Sequence, residues 1–196
     1  MRLAELSIKG TAFGTAEVVD DRLRLNAGCR TDWFFPPDGR GRRDNVIQAS
    51  MVTSEPVFTL SARVSVDFAD TYDAGALFAR TADDSWAKLA FEYSAEHRPT
   101  IVSVVTRGTS DDCDGPSLKS EHVWLRIHRN GRTLAFHYSD DGQFWHFARF
   151  FGIEGLDGGT LELGFGAQAP KGPGTVARFT DARFGTEAIP DLRNGQ

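Results

Sequence analysis

The sequence predicts an all-β fold, a two-sheet antiparallel β-sandwich of the jelly-roll kind, and three observations carry that prediction. Fifteen Phe stand among many Val and Leu, a composition that favours strands. Apolar and polar residues alternate in segments that recur roughly every 10 to 14 residues between polar turns. No segment shows a convincing helical period. A chain of 196 residues is long enough to bury its own core. Residues 1–185 are expected to form one domain, with 186–196 as a frayed tail.

The elements follow in order. Leu6–Lys9, Ala16–Val19 and Arg22–Ala27 alternate as short strands. Thr31–Phe35 is apolar, and Pro36–Asp44 reads as a loop because proline cannot donate to a strand ladder. Its Arg40, Arg42 and Arg43 read as a solvated tip. Trp33, between Asp32 and two phenylalanines, either stacks on a ligand or fills core. Asn45–Val52 is a strand, and in Pro56–Phe68 the residues Phe58, Leu60, Ala62, Val64 and Val66 share one face. Asp70–Asp73 turns and Ala74–Arg80 is the next strand.

The segment Trp86–Tyr93 is the centre of the reading. Leu89, Phe91 and Tyr93 fall on one side, and Trp86, Lys88, Ala90 and Glu92 on the other. Lys88 and Glu92 lie about 13 Å apart along a strand, so each needs a partner elsewhere. Thr100–Thr106 is a β-branched strand, and Arg107–His122 reads as a long acidic loop. Its Asp111, Asp112 and Asp114 lack the ligand spacing of a calcium loop. Asn130-Gly131 signals a two-residue hairpin, which places Ile127 opposite Leu134, Leu125 opposite Phe136, and Trp124 opposite His137. A second turn at Asp140–Gly142 follows; a two-residue loop there sets His137 opposite His146, and a three-residue loop shifts that pairing. In Leu161–Ala169, Leu161, Leu163, Phe165 and Ala167 point inward while Glu162 and Gln168 line the polar face; Val176–Phe184 closes the domain.

Charge and composition exclude several functions. A formal charge of −5 with no run of five basic residues argues against nucleic acid. No apolar stretch approaches the roughly 18 residues of a membrane span, and the N-terminus lacks an apolar leader, so a cytoplasmic location is expected. Cys29 and Cys113 have no metal-ligand or redox spacing and are expected to be free thiols. No cofactor and no metal are expected.

The polar strand faces then suggest a ligand. Trp33, Trp86, Lys88, Glu92, Asp111, Trp124, Arg126, His137, Arg149 and Gln168 are the candidate binding residues; Trp86, Lys88, Glu92, Trp124, Arg126, His137 and Gln168 among them share the non-core strand faces with His128 and Glu162, read as one concave sheet. Aromatic rings beside charged and amide groups suit sugars, because rings stack on C–H faces while polar groups fix hydroxyls. Glycoside hydrolysis needs two carboxylates roughly 5 to 9 Å apart. Glu92 has no acidic residue at positions 88, 90 or 94, so no catalytic residue is assigned and a non-catalytic binding domain is expected. A small carbohydrate is the expected partner, and a homodimer is compatible with the sequence. Two alternatives stand beside it: a polysaccharide lyase using Lys88, Arg126 and His137, and a protein-interaction module regulating a metabolic enzyme.

A series of motifs carries a family likeness. It comprises Thr31-Asp32-Trp33, Tyr72-Asp73-x-Gly75-x-Leu77, Trp86-x-Lys88-x-x-x-Glu92, Val104-Val105-Thr106 and Leu125-Arg126-x-x-Arg129. Tyr138-Ser139-x-Asp141-Gly142-x-x-Trp145, Arg149 and Gly166-x-x-x-Pro170 complete it. Over about residues 25 to 185 the chain resembles the bacterial and fungal family that includes the yeast regulation-of-enolase protein. The resemblance implies a concanavalin A-like lectin/glucanase jelly roll whose concave sheet carries the shared polar residues, and it implies no particular reaction. Ser110-Asp111-Asp112-Cys113 departs from the Ser-Asp-Trp-Ser frequent in such proteins. If that Trp holds a ligand, the resemblance implies a different or weaker ligand here.

Overall fold

A computed structural model describes residues 1–157 and 159–196. The chain opens with β1 (Ser7–Lys9), β2 (Gly14–Val19), β3 (Arg22–Gly28), β4 (Trp33–Phe34) and β5 (Arg43–Asp44). Then come β6 (Ile47–Thr53), β7 (Val57–Val66), β8 (Ala74–Ala82), β9 (Ser85–Tyr93), β10 (Pro99–Arg107) and β11 (Thr109–Ser117). β12 (His122–Asn130), β13 (Thr133–Ser139), β14 (His146–Phe151), β15 (Leu161–Gln168) and β16 (Gly174–Gly185) complete it. A first sheet has the order β1-β6-β15-β8-β9-β10-β11, a second the order β14-β13-β12-β7-β16-β3-β2, and β4 pairs with β5 alone. All pairings are antiparallel, as expected from the alternation.

The core lies between the two sheets. Leu77, Leu89, Phe91 and Phe165 from the first meet Leu25, Phe58, Leu60, Leu125 and Phe136 from the second. Each such side chain contributes about 1.5–3 kcal/mol by leaving water. Gly75 sets how closely the sheets approach: a Cβ there would stand 2.8 Å from the Ala177 methyl. Cys29 and Cys113 are both free and exposed. No helix among the described residues is long and apolar enough to cross a membrane.

Four local expectations are corrected. The segment read as an acidic loop is mostly β11, an edge strand hydrogen-bonded to β10. It carries Asp111, Asp112 and Asp114 and no apolar alternation, which suits an exposed edge that must repel other strands. The β12–β13 hairpin turns at Gly131-Arg132, with Gly131 at φ +58°, so Asn130 still pairs, with Thr133. The register therefore sets Leu125 opposite Tyr138, Ile127 opposite Phe136, and Arg126 rather than Trp124 opposite His137. A glycine at the first turn position is the geometry that favours this two-residue loop. Along β13–β14 a bulge follows Phe136, so His137 faces Phe147 and His146 faces Tyr138. Finally, residues 186–196 are not frayed. The Leu192 and Gly195 carbonyls bond His137 and Arg126 of the second sheet, and the Gln196 amide donates to the Trp145 carbonyl.

Candidate functional site

The outer face of the first sheet is half covered. Residues 31–46 fold across β8, β9 and β10 and bring a second small apolar cluster there: Trp33, Phe35 and Val46 pack on Phe78, Trp86 and Ala90. The backbone of Phe35 is clamped to Ser110, its amide donating to Oγ at 3.0 Å and its carbonyl accepting from the Ser110 amide at 2.8 Å. Trp33 and Trp86 pack ring against ring at 4.5 Å between centroids with their planes tilted by 32°, both buried. They fill core under this flap and offer no ring to a ligand, which resolves the two readings of Trp33.

Beside the flap a hollow of about 430 Å³ remains open. Lys88 and Glu92 rise from β9 into it, Gln168 from β15, and Asp112 and Asp114 from β11. Asp32 and Phe34 come from the flap, and Tyr72 from the turn before β8. Lys88 donates to the Trp33 carbonyl at 2.8 Å and to Gln168 Oε1 at 2.7 Å, so one of its three N–H bonds is uncommitted. The Gln168 amide donates in turn to the Tyr72 carbonyl at 3.1 Å, which fixes its orientation. Tyr72 itself sits at φ +71°, a left-handed backbone that a bulky residue adopts only when the surroundings enforce it.

Glu92 is different. It is 8 % exposed, and among the described residues nothing donates a hydrogen bond to its carboxyl. Burial pushes it up to about 8 against the pull of Lys88, and Asp114, Asp32 and Asp112 add to the rise. The rise favours the neutral acid, which can donate as well as accept. Burial pushes Lys88 down, opposed by Asp32 and Glu92.

The other candidates do not join this hollow. Trp124, Arg126 and His137 lie on the outer face of the second sheet, the whole sandwich away from Lys88, so the expected single hollow is two separate faces. The cause is parity: β9 and β12 both turn polar residues outward, but they belong to opposite sheets. The trio Lys88, Arg126 and His137 is therefore not assembled as a lyase site. His137 has its Nδ1 against Arg126 Nε at 3.4 Å and its Nε2 against the Leu192 carbonyl at 2.7 Å. Asp111 points away from Asp112 and Asp114 and pairs with Arg149 at 3.2 Å. Arg149 also reaches Ser103 Oγ at 3.3 Å, so this pair ties the β14 edge to the β10–β11 edge. Glu162 is held by Lys9 at 2.7 Å and Ser50 at 2.5 Å.

Sequence reasoning missed Asp32, Phe34, Tyr72, Asp112 and Asp114 as lining residues. For the two β11 acids a signal existed, since Asp112 and Asp114 are two apart and share a strand face. Treating the segment as a loop hid it.

Comparison with known proteins follows the architecture. A comparison with curated protein sequences gives no match. A functionally unknown protein from Saccharomyces cerevisiae superposes with TM-score 0.87 at 20 % identity, covering 96 % of this chain and 100 % of that one. The GH43 protein BlXynB from Bacillus licheniformis gives TM-score 0.65 at 18 % identity, with 85 % of this chain matching 33 % of the longer enzyme chain. Lectin I-B4 from Griffonia simplicifolia, in a metal-free form, gives 0.58 at 12 % identity over 94 % of each chain. At these identities the likeness is one of fold, and that fold is the concanavalin A-like sandwich. Residues 14–187 match the family model described as "Protein of unknown function (DUF1349)", and the chain belongs to that family.

Proposed function

We propose that the hollow on the first sheet binds a neutral saccharide or sugar-like metabolite, as a binding domain rather than an enzyme. One observation carries this reading: Glu92 is buried, lacks a protein partner and opens into a preformed hollow. Its carboxyl faces the hollow and not a protein donor, so water or a ligand there completes it. Around it stand the acceptors Asp32, Asp112 and Asp114, the spare Lys88 donor, and the rings of Tyr72 and Phe34. Hydroxyls donate to carboxylates, ring oxygens accept from Glu92 or Lys88, and a sugar C–H face packs on Tyr72. Three further acids around Glu92 disfavour an anionic ligand. The lectin and glycosidase neighbours share the fold and support the reading to that extent.

The test is a neutral-glycan binding screen on the wild type, Glu92→Gln and Glu92→Ala. A hit should weaken at least about tenfold in Glu92→Ala, which removes the hydrogen bond, and less in Glu92→Gln, which keeps a neutral donor and acceptor. Binding unchanged in Glu92→Ala removes the proposal.

A further inference from the structure

The outer face of the second sheet holds its own hollow, of about 920 Å³, which the saccharide reading does not use. Trp124, Arg126, Trp145 and Arg183 line it, and residues 186–189 form one wall. Arg126 is only 6 % exposed. Among the described residues no carboxylate is close enough to pair with it or to shift it; burial alone pushes it down to about 10, so it stays cationic at neutral pH. Its Nε donates to His137 Nδ1 at 3.4 Å and its Nη2 to the Gly195 carbonyl at 2.5 Å, while Nη1 has no protein acceptor. The Trp145 ring lies 4.2 Å from the guanidinium carbon.

A buried guanidinium ordinarily keeps an anionic partner, because an uncompensated buried charge is strongly disfavoured. The acids of this hollow do not serve. Asp141 is spent on its own turn, accepting from Ser139 Oγ at 3.0 Å and from the Gln143 and Phe144 amides at 2.8 and 2.9 Å. Asp181 and Glu187 are exposed at the rim.

We propose that this hollow is a second binding site, for an oxyanion carried on a sugar ring: a sugar acid or a sugar phosphate. Arg126 grips the charged group, Arg183 adds positive charge at the mouth, and the ring packs on Trp124. A guanidinium suits either oxyanion because its paired N–H bonds match carboxylate and phosphate oxygens. The Leu192 and Gly195 carbonyls of the tail hold His137 and Arg126, so the donor is fixed before the ligand arrives. This site is independent of the first-sheet hollow and can fail without it.

The chain has four tryptophans, and their indole N–H signals in a nuclear magnetic resonance titration report which face a ligand meets. Sodium glucuronate, glucose 6-phosphate and glucose are the probes. A charged sugar should move the Trp124 and Trp145 signals and leave Trp33 and Trp86 still, while glucose leaves Trp124 and Trp145 unmoved. Response to glucuronate alone assigns a sugar acid, and response to glucose 6-phosphate alone a sugar phosphate; both support the proposal. Arg126→Gln should weaken the response roughly tenfold to a hundredfold, as loss of a charge-assisted hydrogen bond does. If Arg126→Gln fails to fold, Arg183→Gln on the exposed rim should weaken binding several-fold and flatten its salt dependence. The proposal is overturned by no shift with either charged sugar, by an equal shift with glucose, or by shifts that neither substitution alters.

Discussion

The two sheets pose opposite electrostatic problems on their outer faces. On the first a carboxyl, Glu92, is buried among other acids and driven up to about 8. On the second a guanidinium, Arg126, is buried beside two histidines, His128 and His137, both driven down to about 4 by burial first and by Arg126 next. Each face is roofed by chain from outside the sheet, residues 31–46 on one and 186–196 on the other. The roofs differ in kind. The first is apolar and packs Trp33 on Trp86, while the second is polar and offers carbonyls to Arg126 and His137. One sandwich thus presents one hollow around a buried acid and another around a buried guanidinium, and those two groups direct neutral and anionic ligands to different sides.

The comparison breaks most visibly at Lys88. Lys88→Met strips the donors from the Trp33 carbonyl and Gln168 Oε1 together, and both sit in the roof or wall of the first hollow. Two buried acceptors left unpaired should lower stability by about 3 kcal/mol or more. Chemical denaturation should show that loss, with the second-sheet hollow still responding to its probe.

Acid should weaken the second face selectively. The folded-state values of His128 and His137, about 4, lie below the ordinary 6.5, so between those limits the unfolded chain binds more protons. Stability is therefore full above about pH 6.5 and falls as pH drops towards 4, by at most roughly 3 kcal/mol per histidine. Urea unfolding at pH 7 and pH 5 checks this, and His137→Gln should shrink the difference. Glu92 has the opposite sign. Its folded value is raised, so its contribution is lost as pH rises from 4.5 towards 8. Glu92→Gln should then stabilise the unliganded protein at pH 8 by roughly 1–2 kcal/mol while weakening saccharide binding less than Glu92→Ala does.

How much of this was readable before the structure differs between the faces. Strand parity in Trp86–Tyr93 placed Lys88 and Glu92 together and apart from Leu89 and Phe91, because period two is a local property of a strand. Which sheet a strand joins is not local. Nothing within β9 or β12 records that β8, β9 and β10 are neighbours while β12 lies beside β7, so Trp124, Arg126 and His137 were merged with the wrong face. The roofs were invisible for a related reason. Trp33 reads equally as platform or core until the strand beneath it is known, and the tail carries no apolar pattern because it binds through its own carbonyls. Gly131 misled the hairpin register because one glycine serves either position of a two-residue turn.

The smallest expected effect sharpens the contrast by lying between the faces. Asp111 and Arg149 join the edges of the two sheets at 3.2 Å, and the Asp111 side chain is 67 % exposed. Solvent screening limits such a pair to about 1 kcal/mol or less. Asp111→Asn should therefore move the urea midpoint slightly and leave both titrations, neutral glycan and charged sugar, unchanged. A change in either affinity would mean that the sheet edges transmit strain from one hollow to the other through Ser103 and β10. The two faces would then be coupled sites and not independent ones. Unchanged affinities would locate each specificity wholly in its own roof and its own buried charge.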